Sequence, residues 1–263
     1  RFADAQPIGR GGMGQVYRAF DPERQEEVAV KVLLGLDARS YSRFRREFRA
    51  VSEFKHPNLV DLHELFFEDG RLFFSMELLS GSHFLKYVRP RDDVDLERLE
   101  DAARQLATGL HALHQAGKLH RDVKPSNIIV TDAGRVVILD FGLVLEQDSA
   151  DPALSAHGAI VGTPAYMSPE QIQDGHAIDH RADIYALGVI LYQVLTGRLP
   201  YDGNTGHILF GHLNQPPPDP QEIVPTIPVN IASAIQRAMA KDPEDRYPSA
   251  QALLNALQEQ SSN

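Results

Sequence analysis

Two aspartates and an asparagine form the part of the sequence best suited to chemistry. Asp122 and Asn127 lie in a proline-containing loop, and Asp140 follows the short apolar run 136–139. Carboxylate and amide oxygens are typical ligands of Mg²⁺, and a carboxylate can also accept a proton from a hydroxyl group. Together these residue types suit magnesium-dependent phosphoryl transfer. The alternative is that each of them only caps a turn, as Asp and Asn often do.

The stretches between these residues predict two paired strands. Residues 128–130 and 136–139 are apolar, and a polar turn sequence at 131–134 separates them. Antiparallel strands joined by a tight turn bring the chain back to where it started. We therefore expect Asp140 to lie beside the other two side chains in one pocket.

A glycine-rich segment near the start of the chain is suited to holding phosphate groups. Gly9, Gly11 and Gly14 match the spacing G-x-G-x-x-G, but residues 15–20 then alternate like a strand, which Pro22 ends. The glycines are therefore expected in a hairpin turn, whereas in a dinucleotide-binding fold they open a helix. Such a turn can lie over a polyphosphate and offer its backbone N–H groups. The alternative is a glycine-rich hairpin without a ligand.

A single lysine interrupts the apolar strand that follows. Lys31 lies within residues 28–32, where burial of an unpaired ammonium group would cost several kcal/mol. It therefore needs an anion, and both Glu47 of the helix predicted over 40–54 and a bound phosphate are candidates. The alternative is an exposed lysine at the edge of a sheet.

Composition limits the classes of function. The 263 residues are 43% hydrophobic and 24% charged with a net charge of −10, which fits one large or two-lobed globular domain. The negative charge disfavours nonspecific binding to nucleic acid or to an anionic membrane. The absence of cysteine suits a cytoplasmic location. The longest apolar stretch, 184–195, is too short to span a bilayer, although the start at Arg1 leaves room for anchors or further domains outside this segment.

Periodicity divides the chain into a strand-rich part and a helical part. Strands are expected from residue 1 to about residue 74, and amphipathic helices over 96–115, 182–195 and 231–240. Residues 215–228 contain six prolines and cannot form a regular helix. This segment is predicted to be a surface loop whose apolar residues pack on the body of the protein. The alternative is a proline-rich ligand for a partner domain.

Taken together, these motifs resemble the eukaryotic-type protein kinase family and its bacterial serine/threonine branch. The resemblance runs from about Ile8 to Ala250 and includes Val28-Ala29-Val30-Lys31, His120-Arg121-Asp122, Asp140-Phe141-Gly142, the segment from Gly162 to Glu170, Asp183 to Gly188, and Arg246. It implies an α+β, bilobal protein kinase fold in a single domain over 1–263. The smaller, strand-rich lobe with one regulatory helix and the hinge would cover 1–79, and the mainly helical lobe 80–263.

The resemblance also implies a role for each residue of the catalytic group. Asp122 would accept the proton of the substrate hydroxyl, and Asn127 and Asp140 would bind Mg²⁺, or Mn²⁺ in its place. Lys124 would neutralise the moving phosphoryl group, and a lysine at this position is typical of the serine/threonine branch. Thr163 would shape the acceptor pocket together with these residues.

The same resemblance implies an ATP site between the lobes. Lys31 paired with Glu47 would hold the α and β phosphates. Adenine would contact apolar side chains and the backbone of the hinge. His83 lies on the ribose side, where the family often has an acidic or small polar residue, so the resemblance assigns no ribose contact there. The residues assigned to ATP binding are Ile8, Gly9, Arg10, Gly11, Gly12, Met13, Gly14, Val16, Ala29, Lys31, Glu47, Met76, Glu77, Leu79 and Ile129.

Two further features implied by the resemblance are structural and regulatory. Glu170 and Arg246 would form a buried ion pair, and a stacked spine would join the lobes through Val51, Leu62, His120 and Phe141. The segment 143–161 would be an activation segment whose hydroxyls are Ser149 and Ser155. Phosphate on this segment, with Ser155 as the favoured site, would pair with Arg121; an ordinary loop serine is the alternative.

The expected activity is transfer of the γ-phosphoryl group of ATP to serine or threonine hydroxyls of proteins, including this one. Transient homodimers would serve such autophosphorylation in trans, and neither nucleic acid nor membrane is expected to bind this segment. A pseudokinase that binds ATP without transfer is one alternative, although Lys31, Asp122 and Asp140 are all present. A small-molecule phosphotransferase is another, although such relatives generally lack the segment from Gly162 to Glu170.

Overall fold

The amino-terminal part of the molecule is a five-stranded antiparallel sheet. The computed structural model describes residues 1–11, 14–33, 38–68, 70–140, 163–173 and 178–258. The strands lie in the order β1-β2-β3-β5-β4. Their bounds are Ala3–Gly11 for β1, Gly14–Asp21 for β2, Glu26–Leu33 for β3, Leu62–Glu68 for β4 and Arg71–Glu77 for β5.

The sequence of β2 and β3 explains how this sheet places the lysine. The turn between the two strands is held by Asp21, whose carboxylate accepts the backbone N–H groups of Glu23 and Arg24. Val28, which is fully buried, and its apolar neighbours cover the middle of β3. Because β3 pairs with β2 on one side and β5 on the other, Lys31 lies inside the sheet. The predicted strands are confirmed, and the exposed edge lysine is excluded.

One helix covers the inner face of this sheet. Helix α1, Ala38–Ser52, lies close to the 40–54 predicted from the sequence. Phe44 and Phe48 on the helix pack their rings 6.3 Å and 5.6 Å from the ring of Phe74 on β5. These aromatic contacts bury the helix face against the sheet.

The rest of the chain is mainly helical and contains a second, three-stranded antiparallel sheet. The sheet contains β6 (Gly81–His83), β7 (Ile128–Thr131) and β8 (Val136–Ile138). The helices are α2 (Phe84–Val88), α3 (Leu96–Gln115), α4 (Pro169–Ile172), α5 (Arg181–Thr196), α6 (Thr205–Asn214), α7 (Val229–Ala238) and α8 (Ala250–Gln258). Among the described residues, no helix combines the length and apolar content that crossing a membrane requires.

Helix α5 forms the centre of the helical part. Nearly all of its side chains are buried, and α7 packs along it while α3 packs against α8. A continuous hydrophobic cluster extends from Phe44 on α1 through the helical part to Leu254 on α8. The predicted α+β class is therefore confirmed, with the sheet of β6 to β8 placed where the two parts meet.

The proline-rich segment packs on the body of the protein. A short 3-10 helix, Pro220–Glu222, interrupts it. Ile227 is 5% exposed, and Ile223 contacts the hydrophobic cluster. These contacts match the predicted surface loop, because a ligand for a partner domain would keep such side chains available.

Candidate active site

A cavity of about 790 Å³ lies between the two parts of the molecule and collects most of the predicted site residues. Among its lining residues are Leu78, Ser126 and Leu139, which the sequence did not single out. Leu139 directly precedes Asp140 and Ser126 precedes Asn127, but neither side chain type carries a chemical signal. The predicted residues that line it are Ile8, Gly9, Arg10, Gly11, Gly14, Val16, Ala29, Lys31, Met76, Glu77, Leu79, Asp122, Lys124, Asn127, Ile129, Asp140 and Thr163.

The catalytic group is held together by one lysine and one amide. The Nζ atom of Lys124 donates to Oδ2 of Asp122 at 2.7 Å and to Oγ1 of Thr163 at 2.6 Å. The Nδ2 atom of Asn127 donates to the backbone oxygen of Asp122 at 3.0 Å and to its Oδ2 at 3.2 Å. All four side chains are therefore connected by hydrogen bonds, and all four line the cavity.

The loop takes this shape because a buried carboxylate binds its backbone. Asp183 on α5 accepts the backbone N–H groups of His120 at 2.9 Å and Arg121 at 2.8 Å. The ring of His120 in turn contacts the backbone oxygen of Leu139 at 2.8 Å, which ties the loop to the end of β8. Arg121 adopts a φ of 67°, a left-handed conformation that costs energy for a residue with a side chain.

Asp183 keeps a negative charge in the core despite complete burial. Burial disfavours the charged form, but the hydrogen bond from His114 at 2.8 Å and the charges and N–H groups around it outweigh burial. The pKa of Asp183 therefore lies below its ordinary value. An ionised acceptor forms stronger hydrogen bonds than a neutral one, so the catalytic loop has a firm anchor.

Asp140 returns beside the catalytic loop, as the paired strands predict, and contacts Lys31. Oδ2 of Asp140 lies 2.5 Å from Nζ of Lys31, whose side chain is 9% exposed. The buried ammonium thus has the anion that it was predicted to need. Nothing in the described contacts tests the pairing of Lys31 with Glu47 on α1, so that pairing stays a prediction. Asp140 has a φ of 57°.

The glycine-rich segment forms the predicted hairpin. Gly11 at the end of β1 pairs with Gly14 at the start of β2. A Cβ atom on Gly14 would lie 2.1 Å from the backbone oxygen of Val32, so close strand packing alone explains this glycine. A Cβ on Gly11 would meet no atom within 4 Å, which leaves the surface over the cavity open. Gly12 and Met13 lie outside the described residues.

A model of the protein kinase domain matches residues 2–257 of the chain. The chain belongs to this family. The serine/threonine-protein kinase PknE of Mycobacterium bovis is 40% identical over 243 residues, which cover 91% of this chain and 42% of the relative. The serine/threonine-protein kinase pkn3 of Myxococcus xanthus is 39% identical over 264 residues, which cover 95% of this chain and 48% of the relative.

A third relative is the DNA damage-responsive serine/threonine-protein kinase RqkA of Deinococcus radiodurans. It is 38% identical over 252 residues, which cover 94% of this chain and 37% of the relative. The chain thus spans less than half of the length of these curated relatives. The predicted family and its bacterial serine/threonine branch are confirmed.

The donor atoms of the kinase domain fit a nucleotide-bound magnesium ion. With Nδ2 turned towards Asp122, Asn127 presents its carbonyl oxygen on the other side, and Asp140 offers a carboxylate. Among the described residues, no group of three or more His, Cys, Asp or Glu side chains could hold a metal ion without help. This donor set is typical of Mg²⁺ sites in which phosphate oxygens and water complete the coordination.

The ion pair of Glu170 and Arg246 forms as the resemblance implies. Nη1 and Nη2 of Arg246 donate to the two carboxylate oxygens of Glu170 at 2.6 Å and 2.7 Å, and the guanidinium group is fully buried. Val51, Leu62 and His120 are likewise buried. Phe141 lies outside the described residues.

The regulatory predictions fall mostly outside the described residues. Ser149, Ser155 and the rest of segment 143–161 are among the residues not described. The backbone oxygen of Arg121 accepts a hydrogen bond from Nε2 of Gln171 at 2.7 Å, which places Arg121 next to helix α4. Its pairing with a phosphate stays a prediction.

Proposed function

We propose that this kinase domain transfers the γ-phosphoryl group of ATP to serine or threonine hydroxyls of proteins, including its own. The observation that supports this most strongly is the contact of Lys124 with both Asp122 and Thr163. It places a cation between a carboxylate that can accept a proton and the hydroxyl group of Thr163. Thr163 is the first described residue of the segment that is proposed to hold the peptide acceptor, residues 163–170, which we call the acceptor segment. The names of the relatives support the same reaction.

In the proposed reaction, the oxygen of the acceptor hydroxyl attacks the γ-phosphorus of ATP while Asp122 accepts the hydroxyl proton. The bond from the γ-phosphorus to the β-phosphate oxygen breaks, and ADP leaves. Asn127 holds the Asp122 carboxylate in place through its Nδ2 group. Lys124 lies within reach of the transferred group and stabilises the charge that develops on it. Thr163 keeps the acceptor segment next to these residues through its hydrogen bond to Lys124.

The nucleotide is proposed to occupy the cavity with its phosphates under the glycine hairpin. Val16, Ala29 and Ile129 would enclose the adenine, and Lys31 would bind phosphate oxygens. Asn127 and Asp140 would hold Mg²⁺. When bound, Mg²⁺ supplies positive charge to the phosphate oxygens. Because ATP is the proposed substrate, we infer that the domain acts in the cytoplasm.

Replacement of the proposed proton acceptor tests this function. We expect Asp122→Asn to lower incorporation of label from γ-labelled ATP into protein by about a hundredfold or more, because the amide cannot accept the proton. The measurement follows incorporation into the domain itself and into a peptide selected from a randomised serine/threonine library. Thermal unfolding of both proteins checks that the fold is retained.

Asp132→Asn is a matched control, because Asp132 lies in the turn between β7 and β8, away from the cavity, where its carboxylate accepts a hydrogen bond from Ser80. It is expected to leave the transfer rate near the wild-type value. Equal incorporation by the wild type and Asp122→Asn would contradict the mechanism. A wild-type domain that binds ATP but incorporates no label into any acceptor would instead be a pseudokinase.

A further inference from the structure

A buried histidine outside the catalytic group connects helix α6 with the acceptor segment. His212 on α6 is 0% exposed, and each nitrogen of its ring has a hydrogen-bond partner. Nδ1 lies 2.8 Å from the hydroxyl oxygen of Tyr185 on α5, and Nε2 lies 3.1 Å from the backbone oxygen of Ala165. The ring therefore bridges two elements that are distant in the sequence.

The partners fix the protonation of this ring. A carbonyl oxygen can only accept a hydrogen bond, so Nε2 carries the proton donated to Ala165. Burial and then the charge of Lys241 lower the pKa of His212 to about 4. In the neutral ring Nδ1 accepts, so the hydroxyl of Tyr185 donates to it. Every polar atom of the side chain is thus satisfied in one tautomer.

Lys241 fixes the end of the helix that carries His212. Its Nζ atom donates to the backbone oxygens of Gly211 at 3.1 Å and His212 at 2.7 Å, and to the hydroxyl of Tyr201 at 2.9 Å. Carbonyl groups in the last turn of a helix otherwise lack partners within the helix. Burial and then the charge of Arg246 lower the pKa of Lys241 to about 8, which leaves it mostly charged at neutral pH. His212 consequently projects from a well-anchored backbone.

Ala165 lies two residues after the threonine of the catalytic group. Thr163 precedes the short 3-10 helix Pro164–Tyr166, and its backbone oxygen accepts the N–H of Tyr166 at 3.0 Å. At one end of this turn Lys124 holds Thr163, and in its middle His212 holds Ala165. The turn is therefore fixed both to the catalytic loop and to α6.

We infer that His212 is a positioning residue for the protein acceptor, because its hydrogen bond to Ala165 holds the acceptor segment at the right distance from Asp122. This inference rests on the proposed kinase activity. A hydrogen bond that orders the acceptor segment should affect binding of the acceptor peptide, whereas the proposed nucleotide site is lined by other residues of the cavity, among them Val16, Ala29 and Lys31. The Michaelis constants of the two substrates should therefore respond differently.

A pair of polar substitutions separates the two hydrogen bonds of the ring. The amide of His212→Gln can reach the position of Nε2 and donate to Ala165, whereas the shorter amide of His212→Asn reaches only the position of Nδ1. We expect His212→Asn to raise KM for the best serine peptide from a randomised library by about tenfold, the upper range for one hydrogen bond. We expect KM for ATP to change less than about twofold, and His212→Gln to restore most of the peptide affinity.

Tyr185→Phe is the control for loss of a buried hydrogen bond as such. It removes the partner of Nδ1 of His212 and keeps the hydrogen bond from Nε2 to Ala165. It should leave KM for the peptide within about twofold of the wild type. Equal KM values for the peptide in His212→Asn and His212→Gln would overturn the inference, as would a parallel rise in KM for ATP. A wild-type domain without any transfer would instead contradict the proposed function, so the two failures are distinguishable.

Discussion

At the scale of single residues, two lysines organise the charges of the cleft. Lys31 on β3 contacts Asp140 at 2.5 Å, and Lys124 in the catalytic loop contacts Asp122 at 2.7 Å. Each cation lies beside a carboxylate with a proposed chemical role, so Coulomb attraction helps to hold both carboxylates in place. Lys31 comes from the five-stranded sheet, whereas Asp140, Asp122 and Lys124 come from the mainly helical part, and the reaction is proposed to take place between these groups.

A third charged pair, Glu170 with Arg246, lies outside the cavity lining and is expected to act mainly on stability. Arg246 donates to Glu170 and also to the backbone oxygens of Ala240, Arg181 and Lys241. We expect Arg246→Met to lower the free energy of unfolding by about 3–5 kcal/mol, because it leaves the buried carboxylate of Glu170 without a cation. Urea-induced unfolding measures this change.

An exposed ion pair provides the control for Arg246. Arg18 pairs with Glu27 on the surface, where both side chains are about half exposed. Arg18→Met should cost less than about 1 kcal/mol, as exposed pairs usually do. Similar losses for both variants would mean that burial of the Glu170 pair has no special energetic consequence.

The sequence predicted which residues lie together in the site better than which charged groups contact each other there. Asp122, Asn127 and Asp140 were expected together because a short hairpin joins them in the chain. The anion beside Lys31 could not be chosen in this way, since the sequence offered Glu47 and a bound phosphate, whereas the structure shows Asp140 in contact with Lys31. That choice depends on how the sheet sits over the helical part, and on side-chain torsions that no local pattern specifies.

At the scale of elements, the helices with clear boundaries were predictable. Helix α3 runs from Leu96 to Gln115 as predicted, because the Asp95 side chain accepts the N–H of Arg98 at its start and Gly117 follows its end with a φ of 68°. Helix α6 was missed because its apolar residues 208–210 are consecutive and show no helical spacing. Helix α4 has four residues and is too short for periodicity to reveal.

The packing of α5 against α7 depends on a glycine. A Cβ atom on Gly188 of α5 would lie 2.9 Å from Cβ of Ala238 and 3.0 Å from Cγ of Met239. Alanine would favour the helix by about 1 kcal/mol, but the overpacking should cost about 1–3 kcal/mol. We therefore expect Gly188→Ala to lower the free energy of unfolding on balance, as measured by urea-induced unfolding.

Ser233→Ala is the matched control for this substitution. Ser233 is an exposed position on α7, where alanine should change the free energy of unfolding by less than about 0.5 kcal/mol. A Gly188→Ala protein that is more stable than the wild type would show that helix propensity, and not the close helix approach, determines this position.

At the scale of the whole molecule, stability should fall in mildly acidic solution. Burial and then the charge of Lys241 lower the pKa of His212 from 6.5 to about 4. Between these values the folded protein binds fewer protons than the unfolded chain, so the free energy of unfolding falls as the pH drops. The shift corresponds to up to about 3 kcal/mol. Urea-induced unfolding at several values between about pH 7 and pH 4 measures it.

His212→Gln identifies the part of this loss that belongs to His212. Burial also lowers the pKa of His56 and, together with nearby charges, that of His63, and both histidines remain in the variant. The difference in unfolding free energy between the wild type and His212→Gln should therefore narrow as the pH falls through the window. A difference that stays constant with pH would contradict the assignment.

The left-handed backbone at Arg121 and Asp140 has a consequence for attempts to make the domain heat-resistant. Both positions hold side chains at φ values of 67° and 57°, where glycine or asparagine would be less strained. At Arg121, selection for thermostability alone should therefore favour those substitutions. At Asp140 the loss of the ion pair with the buried ammonium of Lys31 opposes any gain from the backbone. At Asp140 such a change would remove the proposed metal ligand, and at Arg121 it would remove the predicted phosphate partner. A screen for melting temperature should thus enrich variants at position 121 that are more stable but lack the predicted phosphate partner, unless Arg121 is held fixed.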